Sequence, residues 1–251
     1  RFLHPNEVTD IKNLAVGKRI RCHYQSTANA VGVFSGLGKE TSDFIPAVSS
    51  ATPNGDFYFI MVEDWNGQKR LIADRNIQHS VSWDVLNTSG IASGSGLPIK
   101  LEGQSKEVIL AMRLLTGGIS ATDKDNEWDK YIVNSTLNGA IIAGDNAVWN
   151  PLLMHSWTPT SASIASSANR VGRGKNNISE WNYSASSFVS STLGFRPVLL
   201  IDTSILNKSF ILFNGEYKKF SGGASGSSTP STVNAIPVMT SNTTPSGIVS
   251  A

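Results

Sequence analysis

The stretch FYFIMVEDWNGQKRLIA, residues 57–73, decides the fold of this chain. Two runs rich in β-branched, aromatic and other apolar residues, 57–62 and 70–73, flank the tetrapeptide DWNG at 64–67. Asn-Gly between two such runs is the strongest short signal of a tight hairpin turn. The sequence therefore predicts an antiparallel β-hairpin here.

Two short helices are predicted further along the chain. Ser82 is placed to cap the first, over residues 80–87. The second covers residues 127–133 and follows a capping-box pattern at 122–125, with Trp128, Tyr131 and Ile132 forming one apolar stripe. Residues 195–201 predict a buried strand with its proline at an edge or bulge. Residues 210–220 predict a second, small Asn-Gly hairpin late in the chain.

The composition limits the classes of function. Charged residues make up 16% of the 251 residues, against roughly 25% in typical soluble domains. The net charge of +2 predicts no electrostatic attraction to nucleic acid. Since no run approaches 18 apolar residues, no membrane insertion is expected. A surface rich in hydroxyls and amides favours an extracellular or virion protein.

Five segments in fixed order carry a family resemblance: VSWD (81–84), RLLTGG…NEWDKYI (113–132), AVWN (147–150) followed by Trp157, NRVGRG (169–174) and GFRPV (194–198). They resemble the formylglycine-generating-enzyme (sulfatase-modifying) branch of the C-type-lectin fold. The resemblance implies an α+β, C-type-lectin-like domain: a mixed twisted sheet, two short helices and long irregular loops that face a ligand.

The resemblance also sets the expected domain organisation. A β-rich N-terminal segment (1–56) precedes the C-type-lectin-like domain (57–203), which is followed by the small hairpin (204–220). Residues 221–251 read as a flexible linker, and IPVMTSNTTPSGIVSA (236–251) is similar to the lead-in to a discoidin-like module. The segments GKRIRC and AVGVFSGLG resemble tail-region proteins of phages and prophages of Gram-positive bacteria, which implies a virion-tail, extracellular or cell-surface location.

The sequence predicts no catalysis. Formylglycine-generating enzymes use a cysteine pair, whereas Cys22 is the one cysteine here, and a small buried thiol is its expected role. The four histidines lack metal-ligand spacing, so no cofactor is expected. Asp123, Asp125 and Glu127 alternate like the start of a calcium loop, but the loop's glycine and distal glutamate are missing, which favours helix capping.

Residues 157–193 hold the candidate binding site. Aromatic rings beside amide and guanidinium donors suit a sugar ring or a protein epitope. The candidates are Trp157, Arg173, Asn176, Asn177, Trp181 and Tyr183. For Trp181 and Tyr183, ligand contact and loop packing are equally favoured, while Trp128, Trp149, Phe195 and Arg196 are expected to be structural.

These observations lead to one expected function and two alternatives. The first is a non-catalytic phage or phage-like tail protein that presents a lectin-like domain to a glycan or protein of the host surface. One alternative is a structural tail or baseplate connector, and the other is a variable ligand-binding protein diversified by a retroelement. Other tail proteins are expected partners, as is a homo-oligomer, with a trimer as the guess.

Overall fold

A computed structural model describes residues 4–39, 43–46, 48–92, 96–99, 109–202, 209–213 and 216–220. The chain divides into two compact units, Arg1–Asp202 and Thr203–Ala251. The predicted linker over 221–251 lies outside the described residues. In the second unit, strands Ser209–Phe213 and Glu216–Phe220 pair antiparallel, which confirms the late hairpin.

The first unit is built mainly from short strands. In chain order its elements are β1 (Glu7–Val8), a 3-10 turn (Ile11–Asn13), β2 (Arg19–Gln25), β3 (Val33–Ser35), β4 (Asn54–Trp65), β5 (Gln68–Ala73), β6 (Gln78–His79), α1 (Trp83–Thr88), β7 (Leu97–Ile99), β8 (Ile109–Arg113), a π-helical turn (Asp129–Val133), α2 (Asn146–Trp149), β9 (His155–Ser161), β10 (Asn169–Arg173), β11 (Trp181–Ala185), β12 (Leu193–Phe195) and β13 (Val198–Asp202).

The larger of the two sheets among the described residues of the first unit has the order β1-β2-β4-β5-β13-β8-β7, with β3 also paired to β2. The predicted hairpin is confirmed as β4–β5. Its turn residues Asn66 and Gly67 both have positive φ, 50° and 79°, as a type I′ turn requires. Residues 1–56 supply β1–β3 and the start of β4, so they lie in the same compact unit as the hairpin.

The smaller sheet has the order β11-β10-β9-β12-β6 within the described residues. The chain passes from this sheet to the larger one at Arg196-Pro197, between β12 and β13. The strand predicted over 195–201 is therefore interrupted. Pro197 falls at the interruption, where its missing N–H leaves no gap in a ladder.

The predicted fold class is wrong. Strands account for 36% of the residues and helices for 11%, and the architecture is two mixed sheets with few short helices. An α+β, C-type-lectin-like domain with long irregular loops is not what the structure shows, because most of residues 155–185 form strands β9–β11. All of residues 155–158 are buried, and a strand covered on both faces lacks the alternating pattern that would have revealed it.

The second predicted helix is confirmed over residues 127–133, but its predicted capping box is not. The first is confirmed, since Ser82 Oγ accepts the Val85 N–H at 3.2 Å and caps α1. At the second, Asp123 instead accepts the N–H groups of Ile119 and Asp125 and so builds a turn. Residues 127 and 128 are α-helical and lead into the π turn, and Asn126 Oδ1 accepts the Asp129 N–H at 2.9 Å in place of the predicted cap.

Two apolar clusters cover the two faces of the larger sheet. One contains Phe57, Phe59 and Leu71 from β4 and β5. The other contains Ile60 and Ile72, and it packs against residues of the π turn and α2. The four residues expected to be structural, Trp128, Trp149, Phe195 and Arg196, are buried, which confirms their assignment.

Candidate functional site

The structure divides the six predicted binding residues into a buried pair and an exposed group. Trp157 is 1% exposed, and its indole N–H donates to the Val81 carbonyl at 2.9 Å. Arg173 is completely buried. Neither side chain has surface to offer a ligand, so the prediction that these two contact one has to be corrected.

Arg173 is buried because its guanidinium joins three parts of the unit. Nη1 donates to Asp129 Oδ2 and to the Gly117 carbonyl, each at 2.7 Å. Nε donates to the Glu180 carbonyl at 3.1 Å. A buried charge with this many fixed acceptors is a structural element. It ties β10 to the π turn and to the loop before β11.

Asn176 and Asn177 shape that loop and remain exposed. Asn176 donates to Glu180 Oε2 through its backbone N–H and its side-chain amide, at 3.0 and 2.9 Å. Asn177 Oδ1 accepts the N–H and the hydroxyl of Ser179 at 3.0 and 2.6 Å. Both amides therefore fix the backbone that leads into β11.

Trp181 and Tyr183 form a ring pair on β11, the edge strand of the smaller sheet. They are two positions apart and so lie on the same face of the strand. Their ring centroids are 5.8 Å apart at an angle of 60°. The Trp181 indole N–H donates to the Gly118 carbonyl at 2.9 Å and fixes its ring, while Tyr183 is 37% exposed.

Exposed aliphatic side chains adjoin this pair. Ile119 follows the residue that holds Trp181, and both the N–H and the hydroxyl of Ser163 donate to its carbonyl, which brings the loop with Ile164 alongside. Ile119 and Ile164 are both more than half exposed. We call Ile119, Ile164, Trp181 and Tyr183 the edge patch.

The edge patch has a polar side but little charge. The Tyr183 hydroxyl forms no hydrogen bond within the part of the chain that the structure describes. Arg170, on the neighbouring strand, turns to the opposite face and lies 4.2 Å from the Trp83 ring centroid. What remains exposed is an apolar surface with one uncommitted hydroxyl.

The cysteine and the glutamate that the sequence analysis considered for chemistry have structural roles. Cys22 is buried, as predicted, and burial raises the pKa of its thiol, so the thiol stays protonated. The Glu127 carboxylate forms a two-point ion pair with Arg113. Among the described residues, no three His, Cys, Asp or Glu side chains lie together as metal ligands.

Sequence reasoning missed one further feature, a pocket beside Trp65. This side chain is 75% exposed at the end of β4, and the pocket next to it also involves β5, β8 and β13. A tryptophan inside a turn sequence was the available signal. The hairpin prediction uses the DWNG segment only as a turn signal.

Comparison with protein-family models, curated proteins and solved structures found no match to this chain. The resemblance to formylglycine-generating enzymes and the connection to phage tails therefore stay predictions. Among the described residues, no helix combines the length and the apolar character needed to cross a bilayer.

Proposed function

We propose that this chain is a non-catalytic binding protein of a phage or phage-like tail, and that its edge patch contacts a glycan or protein of the host cell surface. One observation carries the proposal: a fixed Trp181 supports a partly exposed Tyr183 on an edge strand. Aromatic side chains pre-positioned in this way provide contact area at a low cost in conformational entropy.

The surroundings of the pair support a binding role. Ile119 and Ile164 add exposed apolar side chains on the adjoining loops, and exposed apolar patches are typical of interaction sites. The tail context comes from the sequence resemblance alone. The absence of catalysis is inferred from the single cysteine, whose buried thiol is kept protonated.

The test is binding of the purified chain to cell walls from a panel of Gram-positive bacteria and to a glycan array. Tyr183→Ala and Trp181→Ala should each weaken binding by at least about tenfold, as expected for aromatic residues at the centre of an interface. Val33→Ala removes an exposed apolar side chain from β3 in the other sheet and serves as the matched control. Unchanged binding by both aromatic variants would contradict the proposal.

Protease treatment of the cells separates the two ligand classes. A protein receptor would be lost on treatment, whereas a wall glycan would be retained. Either result would agree with the proposal, provided that Tyr183→Ala also weakens the observed binding by at least about tenfold.

A structural connector of the tail is the second candidate, because β11 is an edge strand and edge strands readily pair with another chain. In that case the edge patch is covered by a neighbouring subunit. Mass photometry discriminates: an oligomer that Tyr183→Ala dissociates favours the connector. A monomer that binds cell walls favours host recognition.

A further inference from the structure

The larger sheet carries a pocket at the turn end of the β4–β5 hairpin, remote in sequence from the edge patch. Its volume is about 380 Å³, and its walls come from β4, β5, β8 and β13. Pockets that bind small molecules span roughly 300–1,000 Å³. The space is therefore suited to a ligand of about one or two rings.

A β-bulge places Glu63 and Trp65 on the same face of the sheet as Arg70. In the β4–β5 ladder Met61 pairs with Leu71, but Glu63 pairs with Arg70, so Val62 is an extra residue. The bulge reverses the alternation of β4 beyond that point. Glu63, together with Trp65 two positions later, consequently joins Arg70 on the face that carries the second apolar cluster.

Cross-strand pairs then complete the pocket. Trp65 is directly opposite Gln68, Arg70 is opposite Leu200, and Leu200 is opposite Ala111. Directly paired residues of a sheet share a face. The aliphatic side chains of Ala111 and Leu200 form the floor, and the indole of Trp65 stands at the rim.

The pocket lies beside the π turn, which contacts the sheet at Glu63. The hydroxyl of Tyr131, from the π turn, donates to Glu63 Oε2 at 2.7 Å. Arg70 Nη1 also donates to Glu63, at 3.0 Å, and Lys130 Nζ donates to it at 2.9 Å. The carboxylate of Glu63 is thus fixed before any ligand arrives.

Other polar groups at the pocket have spare hydrogen-bonding capacity. The side-chain amide of Gln68 and Nη2 of Arg70 form no hydrogen bonds within the described residues. The lining contains two acidic and two basic residues, Glu63, Asp202, Lys69 and Arg70. Both basic residues are already ion-paired, Arg70 with Glu63 at 3.0 Å and Lys69 with Asp64 at 2.6 Å, so an anion gains little attraction from the lining.

We propose that this pocket binds a neutral saccharide, with one sugar ring stacked on Trp65 and its hydroxyls hydrogen-bonded to Gln68, Arg70 and Glu63. A pyranose offers one face of C–H groups to an aromatic ring and a rim of hydroxyls that both donate and accept. A flat aromatic ligand would leave the amide and guanidinium unused. The proposal is independent of the function assigned to the edge patch.

The test uses the full chain labelled with 5-fluorotryptophan, in which each of the six tryptophans gives its own ¹⁹F signal. Trp65→Phe assigns the Trp65 signal. Neutral mono- and disaccharides should shift that signal and leave the Trp181 signal in place. Gln68→Ala should weaken the affinity several-fold, whereas Tyr183→Ala, the matched control in the edge patch, should not change it.

Three results would overturn the proposal. The first is no shift of the Trp65 signal by any neutral saccharide near its solubility limit. The second is an equal shift with cyclohexanol, which would mean that any apolar ring binds. The third is binding that survives in Trp65→Ala; because this side chain is largely exposed, the variant should keep the wild-type unfolding midpoint and remain interpretable.

Discussion

Arg173 and Asp129 form an ion pair in the interior, with Nη1 2.7 Å from Oδ2 and both side chains at most 1% exposed. The pair joins β10 of the smaller sheet to the π turn that packs on the larger one. Asn126 Nδ2 donates to the same Asp129 oxygen at 2.7 Å. The contact between the two layers of the unit thus depends on a charge that cannot reach water.

Removing one partner of this pair should be costly. Asp129→Asn leaves the buried guanidinium of Arg173 without its counter-ion, and breaking a buried pair in this way costs about 3–5 kcal/mol. Urea unfolding of the variant measures the loss. Asp125→Asn changes an exposed carboxylate of the same segment, and its free energy of unfolding should stay within about 0.5 kcal/mol of the wild-type value. A loss of that small size in Asp129→Asn would contradict the role given to the pair.

The same pair predicts how stability depends on pH. Burial alone would raise the pKa of Asp129, but hydrogen bonds from Arg173 and Asn126 and the charges of Arg173 and Lys124 hold it below its usual value. A carboxyl with a depressed pKa stabilises the fold above its unfolded pKa of about 3.9, and this stability is lost as the pH falls through the folded pKa.

Unfolding midpoints measured from neutral pH down to pH values below the unfolded pKa should therefore fall steeply for the wild type. They should fall less for Asp129→Asn, which has no proton to take up at this site. Parallel curves for the two proteins would show that the Asp129 carboxyl contributes nothing to the acid sensitivity.

The close packing around Gly194, in β12 next to the edge strand β6, predicts a steric effect of a larger side chain. A Cβ added there would lie 2.3 Å from the Gln78 carbonyl oxygen and 2.8 Å from the Met154 sulfur. The first of these contacts is with backbone, so β6 would have to move. We therefore expect Gly194→Ala to lower the free energy of unfolding by at least about 2 kcal/mol.

Gly139→Ala separates steric crowding from backbone strain. Gly139 has φ of +84°, and its added Cβ would meet no atom within 4 Å. The free energy of unfolding of that variant should fall by about 1 kcal/mol, because alanine disfavours the left-handed backbone conformation. Equal losses in the two variants, measured by chemical unfolding, would contradict the close approach at Gly194.

Cys22 should be unreactive in the folded protein. Its side chain is fully buried and its thiol donates to the Ser35 carbonyl, with a 3.4 Å sulfur–oxygen distance. Because the thiolate is the reactive form, a thiol-specific reagent should modify it only after denaturation. Rapid modification of the native chain, followed by absorbance, would show that the thiol is accessible.

Local sequence signals predicted the parts of the fold that depend on them. Asn66-Gly67 determines a turn because both residues tolerate positive φ, and Ser82 determines a helix start through its hydroxyl. The smaller sheet could not be predicted in the same way. Trp157 and Arg173 look like binding residues in a polar segment, and only the tertiary fold buries them against Val81 and Asp129.

The candidate sites also depend on tertiary structure that the local sequence does not reveal. The sequence named Trp181 and Tyr183 but could not decide whether they were exposed, because that depends on the loop that carries Gly118. The pocket at Trp65 depends on the bulge at Val62, and nothing in the local sequence marks one extra residue in a regular strand.

Hydrogen exchange on the chain bound to isolated cell walls tests the central claim most directly. The account predicts new amide protection over residues 181–185 and the neighbouring loops at 118–119 and 163–164. Tight wall binding with no added protection at 181–185 would show that the edge patch is not the recognition surface.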